Sequence, residues 1–193
     1  MPTKAFTGGA ELQRALADIA KRIRGGKELS VGFMSNAKYP DGEPVAYIAS
    51  IHEFGMTIKV PERTTTIYRK LNKDQTFARG GKFVKANVSN FATTHIVPAH
   101  QIKIPARPFF RTMIADKQST WGGVLAKSLP ALGYDGSQAL GVLGTVIKDE
   151  LQNSIRDIRA PANAASTVAI KGFDNPMIHT GHMLNSVTYK VMT

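Results

Sequence analysis

The chain has 193 residues, of which 42% are hydrophobic and 20% charged, a composition typical of a folded globular protein rather than a disordered one. It contains no cysteine, which excludes disulfides and thiolate metal sites, and it has no apolar run of the roughly 18 residues that a transmembrane helix needs. The formal net charge of +11 favours polyanions or acidic protein surfaces as partners.

The first 55 residues predict two helices separated by a strand. Residues 8–24 carry apolar side chains at helical spacing and end at a glycine pair, which favours termination of a helix. Residues 29–34 alternate apolar and polar side chains, as expected for a strand with one buried face. After a turn, a short helix is predicted to begin at Pro44 and to end at Gly55.

Residues 56–103 differ in character from the rest of the chain. They are rich in β-branched and polar residues with turn signals between them, which predicts an inserted β-hairpin arm. Nine of them are basic and two acidic, so the arm carries a net charge of +7. A lone hairpin is marginal in water, so we expect the arm to lean on the body or on another subunit and to become ordered there. The candidate contacts with a partner or with DNA are Arg69, Lys70, Arg79, Lys82 and Lys85.

The segment 104–114 organises the prediction for the rest of the chain. Pro105 and Pro108 disfavour helix before them, and proline suits the first helical position, so a helix is predicted to begin at Pro108. Two phenylalanines give its first turn a large apolar surface, and apolar residues follow at helical spacing. We expect this helix to be the centre of the core. The structural motif at its start consists of Pro105, Arg107, Pro108, Phe109 and Phe110.

The C-terminal third predicts a long helix followed by two strands with a helical turn between them. Ser137 is the predicted N-cap of the helix, and apolar residues from 140 to 158 form a stripe along it. Gly141 and Gly144 lie beside the stripe, where the close approach of another backbone would justify them. The strands are predicted at 166–173 and 186–192.

The sequence contains no recognisable catalytic or metal-binding pattern. Its five histidines are scattered, and the closest pair, His179 and His182, lacks the further ligands of a zinc site. There is no Gly-x-Ser-x-Gly elbow, no phosphate-binding loop and no carboxylate pair suited to general acid–base catalysis. We therefore predict that the protein is not an enzyme and that it has no catalytic, cofactor-binding or metal-binding residues.

Nucleic-acid binding has the composition in its favour but no motif. The basic residues of the arm interleave with Tyr68, Phe77, Phe83 and Phe91, a pattern that suits a groove in which phosphates are tracked and bases stack. The same aromatic side chains could instead pack across the hairpin while the basic groups are solvated, and we favour this second interpretation.

Three stretches resemble the neck or tail-completion protein family of long-tailed bacteriophages. They are Val45–Gly55, which ends in His-Glu-Phe-Gly, Ile104–Arg111, which reads Ile-Pro-Ala-Arg-Pro-Phe-Phe-Arg, and Pro176–Val187, which contains a His-Thr-Gly turn. His179 stands where an aspartate is common in the family, so no acid-dependent role is carried over to it. The resemblance spans most of the chain, and the arm looks like an insertion that only some relatives carry.

The resemblance implies an α+β fold, with long helices packed on a mixed β-sheet, in a single domain 1–193 that carries the arm as an insertion. It implies a non-enzymatic structural protein of the virion, assembled in the host bacterial cytoplasm, that forms a ring between the portal-proximal connector and the tail tube. The expected partners are further copies of the chain in a homo-oligomeric ring (a hexamer favoured over a dodecamer), a head-closure or connector protein, and the tail tube or tail terminator protein. Non-specific contact with channel DNA is a further expectation, and no membrane is expected. The alternative function is a free-standing basic DNA-binding protein that acts in DNA packaging or morphogenesis.

Overall fold

The structure of the protein, a computed structural model, describes residues 9–23 and 27–192 and has an α+β fold, as expected. The chain divides into two compact units, the body up to Gly55 and from Pro105 onwards, and the arm Met56–Ile104. In chain order the elements are α1 (Gly9–Ile23), β1 (Glu28–Phe33), α2 (Val45–Phe54), β2 (Met56–Val60), β3 (Arg63–Arg69), β4 (Phe91–Val97), β5 (His100–Ile104), α3 (Phe109–Ala131), α4 (Gly136–Asp157), α5 (Ala165–Lys171), α6 (His182–Asn185) and β6 (Val187–Met192). None of the helices described is both long and apolar enough to span a membrane.

The core of the body is built on α4 and the first turns of α3. The predicted apolar stripe of α4 is buried at its centre, where Leu151 and Ile155 are fully buried. Phe109 of α3 is also fully buried, whereas Phe110 packs at the edge of the core and is half-buried. The helix that begins after Pro108 therefore supplies a central core residue, as the sequence predicts, through Phe109 rather than through both phenylalanines.

The sheet of the body is a two-stranded antiparallel ribbon in the described residues, not the mixed sheet that the resemblance implies. Strands β1 and β6 pair from Glu28 opposite Met192 to Phe33 opposite Val187, so both strands are where the sequence predicts them. The predicted strand 166–173 is wrong, because this segment forms α5. Gly172 ends α5 in a left-handed conformation (φ 78°) that glycine adopts readily, and this cap signal outweighs the β-branched residues of the segment.

The N-terminus of α4 differs from its predicted cap. Asp135, not Ser137, is the N-cap of α4, since its Oδ1 accepts hydrogen bonds from the backbone N–H groups of Ser137 (2.8 Å) and Gln138 (3.1 Å). The helix begins one residue before Ser137, which places that residue too far into the first turn to act as its cap. The glycine pair 25–26, which is expected to end α1, lies outside the described residues.

The arm is a long antiparallel ribbon with one break. Strand β2 pairs with β5, strand β3 pairs with β4, and the register is the same on both sides of the break, so no residue is inserted. Pro61 and Pro98 lie within the break, and because proline has no backbone N–H it interrupts a ladder of hydrogen bonds. One side of the ribbon runs from residue 56 to residue 69 and the other from residue 91 to residue 104. Each side corresponds to about 40 Å at the usual rise per residue.

The far end of the arm, residues 70–90, folds back on itself as a tip. Asn90 holds it closed, since its Oδ1 accepts from the backbone N–H of Leu71 (2.6 Å) and its Nδ2 donates to the Leu71 carbonyl (2.9 Å). Two single turns of 3₁₀ helix, Ala78–Gly81 and Ala86–Val88, complete the tip. The predicted hairpin is therefore a ribbon with a structured end.

The two glycines beside the α4 stripe have different surroundings. A Cβ atom at Gly144 would lie 2.5 Å from Cδ2 of Tyr189 and 2.9 Å from Cδ1 of Leu29, which is too close for any side chain. A Cβ atom at Gly141 would meet nothing within 4 Å. The close approach expected from the sequence therefore exists at Gly144 only, and it is made by an aromatic ring of β6 rather than by a backbone.

This pair provides a matched test of the packing of α4 on the ribbon of the body. We expect Gly144→Ala to destabilise the protein by about 1–3 kcal/mol, because the methyl group displaces Tyr189 from the helix surface. Gly141→Ala should instead stabilise it by up to about 1 kcal/mol, because alanine is the better helix former. Chemical denaturation of both variants measures the difference, and equal effects would contradict this packing.

Candidate functional site

A buried carboxylate at the start of α3 joins the two segments that flank the arm. Glu53, the penultimate residue of α2, is only 6% exposed and lies against the first turn of α3. Its Oε2 accepts from the backbone N–H of Phe110 (2.8 Å) and its Oε1 from that of Arg111 (3.2 Å). The N-cap residue Pro108 has no side chain that can do this, so a residue more than 50 positions earlier caps the helix.

Arg111 completes the cap from the exposed side. Its Nε lies 3.5 Å from Oε1 of Glu53, its Nη2 donates to the Glu53 carbonyl (3.2 Å), and its guanidinium lies 5.5 Å from the centre of the Phe54 ring. The negative charge of Glu53 is thus matched by the partial positive charge of the helix N-terminus and by one cation. The arrangement can stabilise a buried carboxylate without binding a ligand.

A second buried charge, Arg107, ties the same junction to the segment before α5. Its backbone N–H donates to the carbonyl of His52 (2.6 Å), and its guanidinium donates to the carbonyls of Pro161 (2.9 Å) and Ala162 (3.3 Å). Burial lowers the pKa of Arg107, and the charge of Asp174 partly offsets this effect. Arg107 is 5% exposed and acts as a positioning residue rather than as a free cation.

An open cleft of about 750 Å³ adjoins this junction in the body. Its polar lining includes His52, Lys171, His179 and His182. Burial lowers the pKa of His52, and the positive charges of Arg107 and Lys171 lower it further, so the imidazole favours its neutral form.

The remaining contacts in the cleft do not assemble a reactive group. Nε2 of His182 lies 2.8 Å from the carbonyl of Lys38, and its ring stacks on Tyr39 with 4.7 Å between ring centres. Burial first, and then the charge of Arg107, lowers the pKa of Lys171, which donates a hydrogen bond to the Asn175 carbonyl. In the described part of the chain, no cluster of three or more histidine and acidic side chains could hold a metal ion.

The junction brings together two of the three stretches on which the family resemblance rests, and the third lines the adjoining cleft. His52 and Glu53 come from the first stretch, and Arg107 to Arg111 come from the second. The third stretch contributes buried Pro176 and Met177 and, through residues 176–186, much of the cleft that His52 also lines. All five residues of the predicted structural motif, Pro105, Arg107, Pro108, Phe109 and Phe110, lie at or beside the junction.

The predicted contact residues of the arm lie together at its far end. Lys70, Arg79, Lys82 and Lys85 are exposed there. Arg69 differs, since its guanidinium lies 5.2 Å from the centre of the Phe77 ring and 5.3 Å from that of Phe83. Phe77 also packs edge-on against Phe91, with 5.7 Å between centres. Phe77 and Phe91 therefore pack against each other within the arm, as the favoured sequence interpretation expects, whereas Phe83 is 68% exposed.

Sequence reasoning missed the two residues that organise these regions. Glu53 was visible only as part of the His-Glu-Phe-Gly stretch, and no local pattern connects it with a helix 56 residues later. No sequence pattern indicates the role of Asn90, because asparagine is common in turns whether or not its side chain bonds a distant backbone.

Comparisons of the chain with protein-family models, with curated proteins and with solved structures found no match.

The capping role of Glu53 can be tested by one isosteric change. We expect Glu53→Gln to destabilise the protein by about 2–3 kcal/mol, because the amide offers one acceptor oxygen where the carboxylate offers two and removes the charge that faces the helix N-terminus. Glu43→Gln, in an exposed position of the same charge, should change stability by less than about 0.5 kcal/mol. Denaturant unfolding measures both, and equal losses would contradict the capping role.

The lowered pKa of His52 predicts a pH dependence of stability. The unfolded chain takes up a proton on this histidine near pH 6.5, whereas the folded chain resists protonation until a lower pH. The free energy of unfolding should therefore fall as the pH decreases from about 7 to 5. In His52→Gln this fall should be smaller, and thermal unfolding measured across that range would show it. Parallel curves for the two proteins would contradict the assignment.

Proposed function

We propose that this chain is a structural protein of a bacteriophage neck, where it completes the tail or joins head and tail as one subunit of a ring. The observation that carries the proposal is that the first two family-like stretches meet at the junction of Glu53 and Arg107, while the third packs in the same core and lines the cleft beside His52. In the sequence the first two stretches are separated by the arm, yet they meet in the structure. They hold the two body segments, ending at Gly55 and starting at Pro105, between which the arm is inserted.

The arm offers the kind of surface that subunit contacts need. Side chains alternate across a strand, so one face of the β2–β5 ladder carries Met56, Ile58, Val60, His100, Ile102 and Ile104. Ile58 and Ile102 form a cross-strand pair, and they are 41% and 47% exposed. Both outer edges of this ladder lack a paired strand in the described residues, so they are open to strand addition.

We infer that the occupant of this apolar face is an adjacent copy of the chain. The apolar face and the open edges repeat on every copy, and a contact between two different surfaces of identical subunits closes into a ring when the rotation allows it. A hexamer is favoured and a dodecamer is the alternative. The ring would lie in the virion, between the connector or head-closure protein and the tail tube or tail terminator protein, after assembly in the host cytoplasm.

The alternative function, a free-standing basic DNA-binding protein, rests on one specific observation. The arm carries +7 of the net charge, and none of its basic side chains forms an ion pair with a carboxylate in the described part of the chain. The two functions differ in where the protein is found. A ring subunit is a stable component of purified particles, whereas a packaging protein that only binds DNA is absent from them.

A double variant of the arm tests the ring. We expect Ile58→Thr with Ile102→Thr to leave the body folded, since threonine suits a strand, but to abolish ring formation by removing the apolar contact. The matched control, Lys59→Thr with Gln101→Thr, changes the next rung on the opposite face and should keep the ring. Native mass spectrometry of the purified chain and protein quantification in purified particles measure the outcome.

Hydrogen exchange adds an independent measurement on the same variants. The arm's amides should exchange rapidly in the isolated chain and become protected in the assembled ring, because a two-stranded ribbon is marginal alone. Absence of the protein from particles would overturn the proposal. Strong protection of the arm in the monomer, with no further protection on assembly, would show that the arm does not form the subunit contact.

A further inference from the structure

The two faces of the β2–β5 ladder differ sharply in chemistry. The face opposite the apolar one carries Thr57, Lys59, Gln101 and Lys103, all of them exposed. Because the register continues unchanged through the break, the alternation places Arg63 on the same side at the start of β3. The β2–β5 ladder is therefore amphipathic, with one apolar face and one face of cationic and hydrogen-bonding side chains, whereas along β3 and β4 the second side also carries Ile67, Phe91 and Val97.

The positive charge of the arm is not compensated within the structure. Of its two acids, Asp74 accepts hydrogen bonds from the hydroxyl (2.7 Å) and the backbone N–H (3.1 Å) of Thr76 in the tip, and Glu62 belongs by its position to the other side of the ribbon. No carboxylate in residues 9–23 or 27–192 lies within ion-pair distance of an arm lysine or arginine. The nine cations on about 50 residues thus have no carboxylate partner, and eight of them are exposed to an external polyanion.

The tip adds a preorganised cationic end to this face. The guanidinium of Arg69 lies over the rings of Phe77 and Phe83, and its Nε is buried with no hydrogen-bond partner in the described residues. Phe83 remains 68% exposed although Arg69 lies on it. Around this cluster the tip presents the exposed cations Lys70, Lys73, Arg79, Lys82 and Lys85.

We propose that the basic face and tip of the arm form a binding site for the phosphate backbone of duplex DNA, with the ribbon lying along a groove. A two-stranded β-ribbon is one of the two elements that the major groove, about 12 Å wide, admits. Lys59 and Arg63 lie on one strand of the ribbon and Lys103 on the other, so its cations can meet phosphates on both sides of the groove. Threonine and glutamine between the lysines supply further donors and acceptors to phosphate oxygens.

An acidic protein is the less suitable partner for this face. Protein interfaces are depleted of lysine and depend on buried aromatic or arginine anchors at their centre. The basic face of β2–β5 offers no aromatic or aliphatic anchor, since its apolar residues all belong to the opposite face. Backbone recognition of nucleic acid needs only cations and hydrogen-bonding groups at regular spacing, which this face provides.

The test is the affinity of the full-length chain for a labelled mixed-sequence duplex of about 30 base pairs, measured by fluorescence anisotropy between about 50 and 200 mM KCl. The triple variant Lys59→Gln, Arg63→Gln, Lys103→Gln removes the three cations of the basic face. If each contacts a phosphate, the slope of log K against log salt should fall by about 3, and the affinity near 100 mM should drop at least about tenfold.

The control variant removes the same charge from the body. Lys117→Gln, Lys127→Gln and Lys190→Gln replace exposed lysines and should reduce the affinity by less than about threefold. Equal losses in the two triple variants would mean that binding follows net charge alone, and would overturn the proposal. Circular dichroism of each variant checks that the arm keeps its strands.

If the triple variant of the basic face loses the strands of the arm, a second variant still tests the proposal. Lys70→Gln, Lys82→Gln and Lys85→Gln change only exposed tip residues and should also weaken duplex binding at least about tenfold. If the wild-type chain binds polyglutamate more tightly than duplex DNA, the face belongs to an acidic protein partner and the proposal is overturned. If it binds single-stranded DNA more tightly than duplex DNA, docking in a groove is overturned. The proposal rests on the arm alone, so failure to find a ring in particles would leave it standing.

Discussion

The structure depends on one electrostatic constraint, a carboxylate that is withdrawn from water and satisfied by a helix N-terminus. Glu53 would be costly to bury without partners, and α3 would begin with unsatisfied backbone N–H groups because Pro108 cannot cap it. The buried carboxylate and the uncapped N–H groups satisfy each other through two hydrogen bonds to Glu53, and the ion pair with Arg111 balances the charge. The position of α2 relative to α3, and hence of Phe109 in the core, follows from this pairing.

The same pairing explains how a chain can accommodate an excursion of 49 residues without loss of its core. Arg107 donates its backbone N–H to His52 and its side chain to the segment that precedes α5, so the two ends of the body chain are held beside one another whatever lies between them. Closing a long loop costs entropy that grows only slowly with length. A body fixed in this way tolerates an arm whose own sequence is free to serve other purposes, such as solubility or partner contacts.

The sequence predicted those features that are encoded locally. The α4 stripe and the strands β1 and β6 follow from periodicity, and the structure confirms them. The geometry of proline predicts the start of α3 to within one residue, since the helix begins at Phe109 and Pro108 is its N-cap. The prediction of a strand at 166–173 is wrong because the β-branched residues of the segment favour a strand locally. Its alanines and the glycine cap favour a helix, and the helix forms. The role of Glu53 could not be predicted, because a cap supplied from 56 residues away produces no sequence pattern in α2 or at the start of α3. The motifs His-Glu-Phe-Gly and Pro105 to Phe110 contain residues that meet at the junction, but neither motif indicates that Glu53 caps α3.

The composition of the arm shows why charge alone is a poor guide to function. A net charge of +7 on a disordered tail would act as a diffuse attraction, but a ladder in constant register sorts its residues by parity. Ile58 and Ile102 meet on one face while Lys59 and Gln101 meet on the other, one rung away. A single inserted residue in either strand would exchange the two faces beyond it, so the unbroken register across Pro61 and Pro98 keeps each side continuous. A ribbon sorted in this way presents an apolar surface and a cationic surface at the same time, and the proposed ring subunit with a DNA contact needs both.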